Sequence, residues 1–211
     1  MQGKYWPDHQ AVRHIEIDGV CWLLDHLRDS SLLIDIPAAD GQPRVVLTVN
    51  VEYSSHCVSR GPKKDSHIDF NLVGFHRLVI DHRGIKREFK EDRHALSFLL
   101  PEILRTLKDR RCFFTGKENF LTLELGEILP GYRADTKYEI YFNVRKDANK
   151  KNTLKLFVES AYVRDEDADN EPVNFKKADK MQAWKLFLKK VRGEPVRGHR
   201  GNNLRLGRSR P

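Results

Sequence analysis

The sequence predicts an α+β domain: an antiparallel β-sheet with a kinked central helix and a C-terminal amphipathic helix. Three stretches carry that prediction. In 138–166, YEIYFNVRKDANKKNTLKLFVESAYVRDE, two β-rich runs flank a polar tip, the pattern of an antiparallel hairpin. In 92–109, DRHALSFLLPEILRTLKD, apolar residues recur at spacings of three and four, the period of a helix. In 176–191, KKADKMQAWKLFLKKV, an apolar stripe runs among lysines, which predicts a helix with one basic face.

Alternation assigns the two faces of the hairpin. Tyr138, Ile140, Phe142 and Val144, with Leu154, Leu156 and Val158, form an apolar face. Glu139, Tyr141, Asn143 and Arg145, with Lys155, Phe157 and Glu159, form a largely polar one. Cations, hydrogen-bond donors and a carboxylate within a few residues suit a phosphate-bearing ligand. The plainer reading is a solvated sheet face crossed by ion pairs.

Taken in order, 1–12 reads as an irregular lead-in with an aromatic plug at Tyr5 and Trp6. His14 to Asp18 alternates and breaks at Gly19, and 20–27 suits either a helical turn or a second strand. Residues 32–36 and the valine-rich 44–53 are strands, the latter running into a Gly/Pro-marked loop. Residues 72–81 and 85–89 form a second hairpin about His82, Arg83 and Gly84. Asp92 is the expected cap of the central helix, and Pro101 inside its pattern predicts a kink or two abutting helices. A strand at 120–125, the connector 126–136 and an acidic turn-like run at 164–173 complete the reading, with 1–190 taken as one domain.

The formal net charge is +8, and its distribution is uneven. Residues 191–211 hold Arg192, Arg197, Arg200, Arg205, Arg208 and Arg210 against Glu194 alone, a net of +5 that leaves +3 for the remainder. A segment this poor in large apolar residues cannot offset its ordering entropy, so a disordered basic tail is expected. Such a tail holds phosphates without regard to sequence. The expected partner is therefore RNA or another nucleic acid, with the oligomeric state left open. No run approaches the roughly 20 apolar residues of a membrane span, and the first ten residues do not read as a secretory signal, so no membrane partner is expected. Three widely spaced cysteines argue against a disulfide framework and for a reducing, cytoplasmic location.

The glycine-rich phosphate loop, the GxSxG elbow, the HExxH motif and paired CxxC are all missing from the sequence, so no cofactor or metal is assigned. Ser54, Ser55, His56, Cys57, Ser59 and Arg60 gather reactive groups, and a cysteine or zinc enzyme centred on His56 and Cys57 is one reading. Adjacent strand residues face opposite ways, however, which favours a buried structural cysteine. His94 beside Arg93, and His82 beside Arg83, are the better proton-exchange candidates.

From residue 93 onward the order of features resembles the barnase, EndoU, colicin and RelE-like group of ribonucleases, particularly its phage-associated branch. The residues that carry the likeness are LPEIL at 100–104, YEIYFNVR at 138–145 and the triplet Ser160, Ala161 and Tyr162, about the last half of the chain. The resemblance implies metal-independent RNA cleavage, with Glu159 as base, Arg145 as phosphate binder and Tyr162 or His94 as acid. Lys155 and the tail arginines would add contacts to nucleic acid. The expectation is an RNA-directed protein, in its sharper form an endoribonuclease of toxin or mobile-element type. The alternative is a non-catalytic nucleic-acid- or protein-binding accessory factor.

Overall fold

The structure is a computed structural model and describes residues 5–38, 43–63, 65–116, 119–125, 131–133, 136–164 and 180–196. The lead-in is more regular than its sequence suggests. Residues Trp6–Val12 form a short helix, α1, opened by Pro7, and Trp6 buries its ring while its Nε1 donates to the Tyr53 carbonyl at 3.0 Å. Of the expected aromatic plug, Trp6 is buried and Tyr5 is exposed, and the helix around Trp6 follows from that anchor. β1 (His14–Ile17) and β2 (Val20–Leu23) pair antiparallel about Asp18 and Gly19, both at positive φ (53° and 75°). Two left-handed residues make the tight hairpin turn that Asp-Gly favours, which settles 20–23 as strand.

β3 (Ser30–Ile36) and β4 (Val45–Tyr53) follow as expected from their β-branched content. The segment expected to be loop after β4 holds a 3-10 turn at Ser55–Cys57 and a two-residue strand, β5 (Ser59–Arg60). The strand expected from residue 72 is shorter. Residues Phe70–Val73 form one helical turn, α2, capped by Asp69, and β6 (Leu78–Ile80) pairs with β7 (Lys86–Phe89) across the His82–Gly84 turn.

The central helix is two pieces, α3 (Glu91–Ser97) and α4 (Leu100–Arg105). Pro101 lies in the first turn of the second piece, where its missing N–H is tolerated. Lys90, not Asp92, occupies the cap position of α3, and no side chain caps it. β8 (Arg111–Gly116) and β9 (Asn119–Leu125) lead to the central hairpin of β10 (Lys137–Lys146) and β11 (Thr153–Val163). The last elements are β12 (Lys180–Gln182) and α5 (Ala183–Arg192), so Met181 belongs to a strand and not to the helix. The connector 126–130, the acidic run 165–173 and residues 197–211 lie outside the described residues.

Seven strands form the main sheet in the order β12-β8-β9-β10-β11-β4-β3, with every neighbouring pair antiparallel except β11 and β4. That one parallel pair joins the first part of the chain to the last. A three-stranded sheet, β5-β7-β6, stands apart from it. One hydrophobic cluster runs from Trp6 to Val191 and includes Phe142, Val144, Leu156 and Val158 from the hairpin, Leu100 and Leu104 from α4, and Leu186 and Phe187 from α5. The apolar face of the hairpin is thus covered, while its polar face is exposed at the Arg145 and Lys155 end and buried at the Glu139 and Tyr162 end.

Phe187 is fully buried and Leu72 is 85% exposed. Phe187→Ala should lower unfolding stability by about 3–5 kcal/mol through cavity formation. Leu72→Ala should shift it by about 0.5 kcal/mol or less. Urea midpoints of the two variants against the parent protein measure the difference.

Candidate functional site

On the polar face of the main sheet a cleft of about 270 Å³ is bordered by Asn143, Arg145, Lys155, Phe157 and Glu159 of the hairpin, by Glu52 of β4 and by His82 and Arg83 of the turn after β6. The pleat explains the first four. Register places Arg145 opposite Lys155 and Asn143 opposite Phe157, so all four share one face. Glu52 pairs with Phe157 across the parallel neighbour and extends that face sideways.

Glu159 arrives by a different route. Tyr141 pairs with Ser160 and Phe142 with Val158, which leaves Glu159 as the extra residue of a β-bulge. Its Oε1 accepts a hydrogen bond of 2.8 Å from Asn143 Nδ2, and this aims the carboxylate along the cleft. Beyond the bulge the alternation is shifted by one residue. Ala161 is buried in the core, and Tyr162 shares the face of Glu139.

The turn carrying His82 and Arg83 is held from beneath by Asp81. Asp81 is fully buried, and its Oδ1 accepts from the backbone N–H groups of Arg83 at 2.8 Å and Ile85 at 2.9 Å. Its Oδ2 lies 3.4 Å from His56 Nε2. Gly84, at φ +81°, closes the turn in a conformation that residues with a side chain rarely adopt. His82 then sets its ring at 85° to that of Phe157, with centroids 6.0 Å apart. Burial, followed by the nearby Arg87 guanidinium, drives the pKa of His56 down to about 3, so this imidazole stays neutral against the Asp81 carboxylate.

The electrostatics of the cleft differ from those of its surroundings. Arg145 and Lys155 stand opposite each other, a destabilising arrangement for like charges. Neither makes an ion pair or hydrogen bond with a described side chain. Nearby charges are compensated: Arg164 holds the buried Glu139 through Nη2 at 2.7 Å and Nε at 3.2 Å, and Arg60 pairs with Glu88 at 2.7 Å. Three cations, Arg83, Arg145 and Lys155, beside the two carboxylates Glu52 and Glu159 and the imidazole of His82 form a site that can bind an anion and move a proton near it.

The sequence-predicted residues divide accordingly. Glu159, Arg145 and Lys155 meet in the cleft. Tyr162 is buried, stacked on Tyr141 at 5.9 Å and lying under the Arg93 guanidinium at 4.8 Å; it does not border the cleft. His94 is also buried away from it. Its Nε2 donates to the Leu23 carbonyl at 2.7 Å, its ring packs against Trp22, Phe89, His26 and Phe98, and burial lowers its pKa. Arg192 ends α5 with its guanidinium 3.8 Å from Glu194, while Arg197, Arg200, Arg205, Arg208 and Arg210 lie outside the described residues. Cys57 is fully buried, and burial pushes its thiol up to about 12, which suits packing and not nucleophilic attack. Among the described residues, no group of three or more His, Cys, Asp or Glu could hold a metal ion. Glu52 and Asp81 are site residues that sequence reasoning missed. Pairing of β4 with β11 brings Glu52 in, and no local signal announces it. Asp81 had one, as an Asp three residues before a glycine between two strand runs.

A profile of the YjaZ family matches residues 14–191, from the first strand to the last turn of α5. Over 127 residues the chain is 29% identical to the origin recognition complex subunit 1 of Plasmodium falciparum (isolate 3D7), a stretch that is 54% of this chain and 10% of that protein. The match therefore takes in about a tenth of that relative's length. No solved structure matches the chain.

Burial of His56 beside Arg87 generates a pH dependence that its contact with Asp81 only partly offsets. A histidine whose folded pKa is about 3 binds its proton far more readily when unfolded, near 6.5, so its contribution to stability is present above that value and is lost as pH falls toward 3. Stability should decline on acidification below pH 6.5. His56→Asn should flatten that slope by up to about 1.4 kcal/mol per pH unit. Urea unfolding of both proteins between pH 7 and pH 4.5 measures it.

Proposed function

We propose that this chain, which belongs to the YjaZ family, binds RNA on the polar face of its main sheet and cleaves it without needing a metal ion. The observation that carries the reading is the pair Arg145 and Lys155, opposed in register and uncompensated by described side chains, in one cleft with Glu159 and His82. Holding two cations together on a sheet face is unfavourable unless an anion lies between them. A phosphodiester is such an anion, and it matches the planar fork of an arginine.

The chemistry divides among the cleft residues. Glu159, aimed by Asn143, takes the proton of a ribose 2′-OH. The 2′-oxygen attacks the adjacent phosphorus while Arg145 and Lys155 stabilise the charge that builds on the phosphorane oxygens. The leaving 5′-oxygen needs a proton at that moment, and His82, carried on the Asp81-braced turn, is the donor within the cleft. The products are a 2′,3′-cyclic phosphate and a free 5′-hydroxyl, with one proton received by Glu159 and one given by His82. The acid role thereby passes from Tyr162 and His94, which are buried elsewhere, to His82. The arginines of 192–210 add contact with phosphates at any sequence.

The test is incubation of the full-length protein with a mixed labelled RNA pool in EDTA, beside Glu159→Gln and Arg145→Ala. The parent protein should cleave, and Glu159→Gln should slow cleavage by about 10²–10⁴-fold while leaving gel-shift binding in place. RNA that is shifted but intact with the parent protein would replace the nuclease by a binding factor. RNA neither shifted nor cut would remove both.

A further inference from the structure

Resting on that RNA-binding reading, we propose that the cleft takes its substrate as an unpaired single strand, with one nucleobase stacked on the ring of Phe157. Phe157 is an aromatic side chain on the polar face of the main sheet, half-buried and bordering the cleft. A phenylalanine offers no hydrogen bond, so it cannot help hold a phosphate. What it offers is a flat apolar ring, and a ring of that kind is normally buried in a core.

Its neighbours say what belongs on it. Lys155 precedes it by two residues on the same face of β11, so the two side chains leave the strand about 6.6 Å apart. Glu159 follows two residues later, at the bulge. Cation, aromatic ring and carboxylate thus stand in a row along one strand. The ligand that offers an anion, a flat ring and an ionisable hydroxyl in one covalent unit is a nucleotide, with its phosphate at Lys155 and Arg145, its base on Phe157 and its ribose toward Glu159. His82 walls the ring at 85°, and Arg83 beside it supplies a further cation for a neighbouring phosphate, which favours a strand over a single nucleotide. In a duplex both faces of each base are already stacked, so a paired base cannot lie on Phe157 unless it is turned out of the helix. Stacking on aromatic side chains is the usual means of holding single strands with little regard to sequence.

The experiment uses full-length protein carrying Glu159→Gln to prevent cleavage. Fluorescence anisotropy compares an unstructured oligoribonucleotide with its duplex, with and without a second substitution, Phe157→Leu, which keeps apolar bulk and removes the aromatic face. Single strand should bind at least about ten-fold tighter than duplex, and Phe157→Leu should weaken single-strand binding by about five-fold or more while leaving duplex binding unchanged. A 2-aminopurine placed in the strand should be quenched on binding, and that quenching should be lost in Phe157→Leu. Equal affinity for both forms, unaffected by Phe157→Leu, would overturn the stacked single strand and leave the RNA-binding reading standing. No binding of either form would overturn the RNA-binding reading itself. Displacement of the strand by a nucleoside monophosphate at comparable concentration would assign the cleft to free nucleotides and overturn the strand.

Discussion

Where Tyr141 pairs with Ser160 and Phe142 with Val158, β11 supplies one residue more than β10 can match, and Glu159 is left between them. A strand presents alternate residues to opposite faces, so one inserted residue exchanges the faces of everything beyond it. Leu154, Leu156 and Val158 can point into the core before the bulge, and Ala161 after it. Without the insertion, Ala161 would face the cleft side and the ring of Tyr162 would turn into the core. The bulge thus keeps both ends of β11 packed and sets a carboxylate beside Asn143 at the point where the alternation changes.

Around this point the protein handles charge in two ways. Beyond the bulge, Glu139 is buried but accepts from both Tyr141 Oη at 2.8 Å and the guanidinium of Arg164. Near Ser59, Arg87 donates to the serine Oγ at 2.9 Å and to its carbonyl at 3.1 Å, and Arg93 reaches the same carbonyl at 2.8 Å. Burial lowers the pKa of Arg87 to about 10, a sign of how much solvation these hydrogen bonds must replace. In the cleft the opposite holds: Arg145 and Lys155 are exposed, close and uncompensated by described side chains. Exposed charges elsewhere are paired, as Arg44 is with Asp35 at 2.8 Å, which sets Arg145 and Lys155 apart from them.

Much of this could be read from the chain alone. Period-two runs located β10 and β11, β-branched content located β4, and the i, i+3, i+4 pattern located α3, α4 and α5, with Pro101 marking the join between α3 and α4. The polar face of the hairpin was legible for the same reason, since alternation is a local property. Short elements were not: α1 depends on burial of Trp6 against Tyr53, and β5 depends on pairing with β7, contacts between residues distant in sequence. The bulge left a trace, because the apolar positions 154, 156 and 158 are followed by 161 and not 160.

The sequence by itself determined which residues can face water and which cannot, because the periods of helix and strand translate directly into faces. From that came the α+β class and the membership of Arg145, Lys155 and Glu159 in one polar surface, while Pro101 called for either a kink or two abutting helices at the centre. Tertiary structure alone decided which groups share a site. Parallel pairing of β4 with β11 brought in Glu52, the Asp81-braced turn brought in His82 and Arg83, and burial withdrew His94 and Tyr162. The physical reason is that pairing between distant strands and the desolvation of a side chain depend on the whole packed chain, whereas periodicity is written in each segment separately.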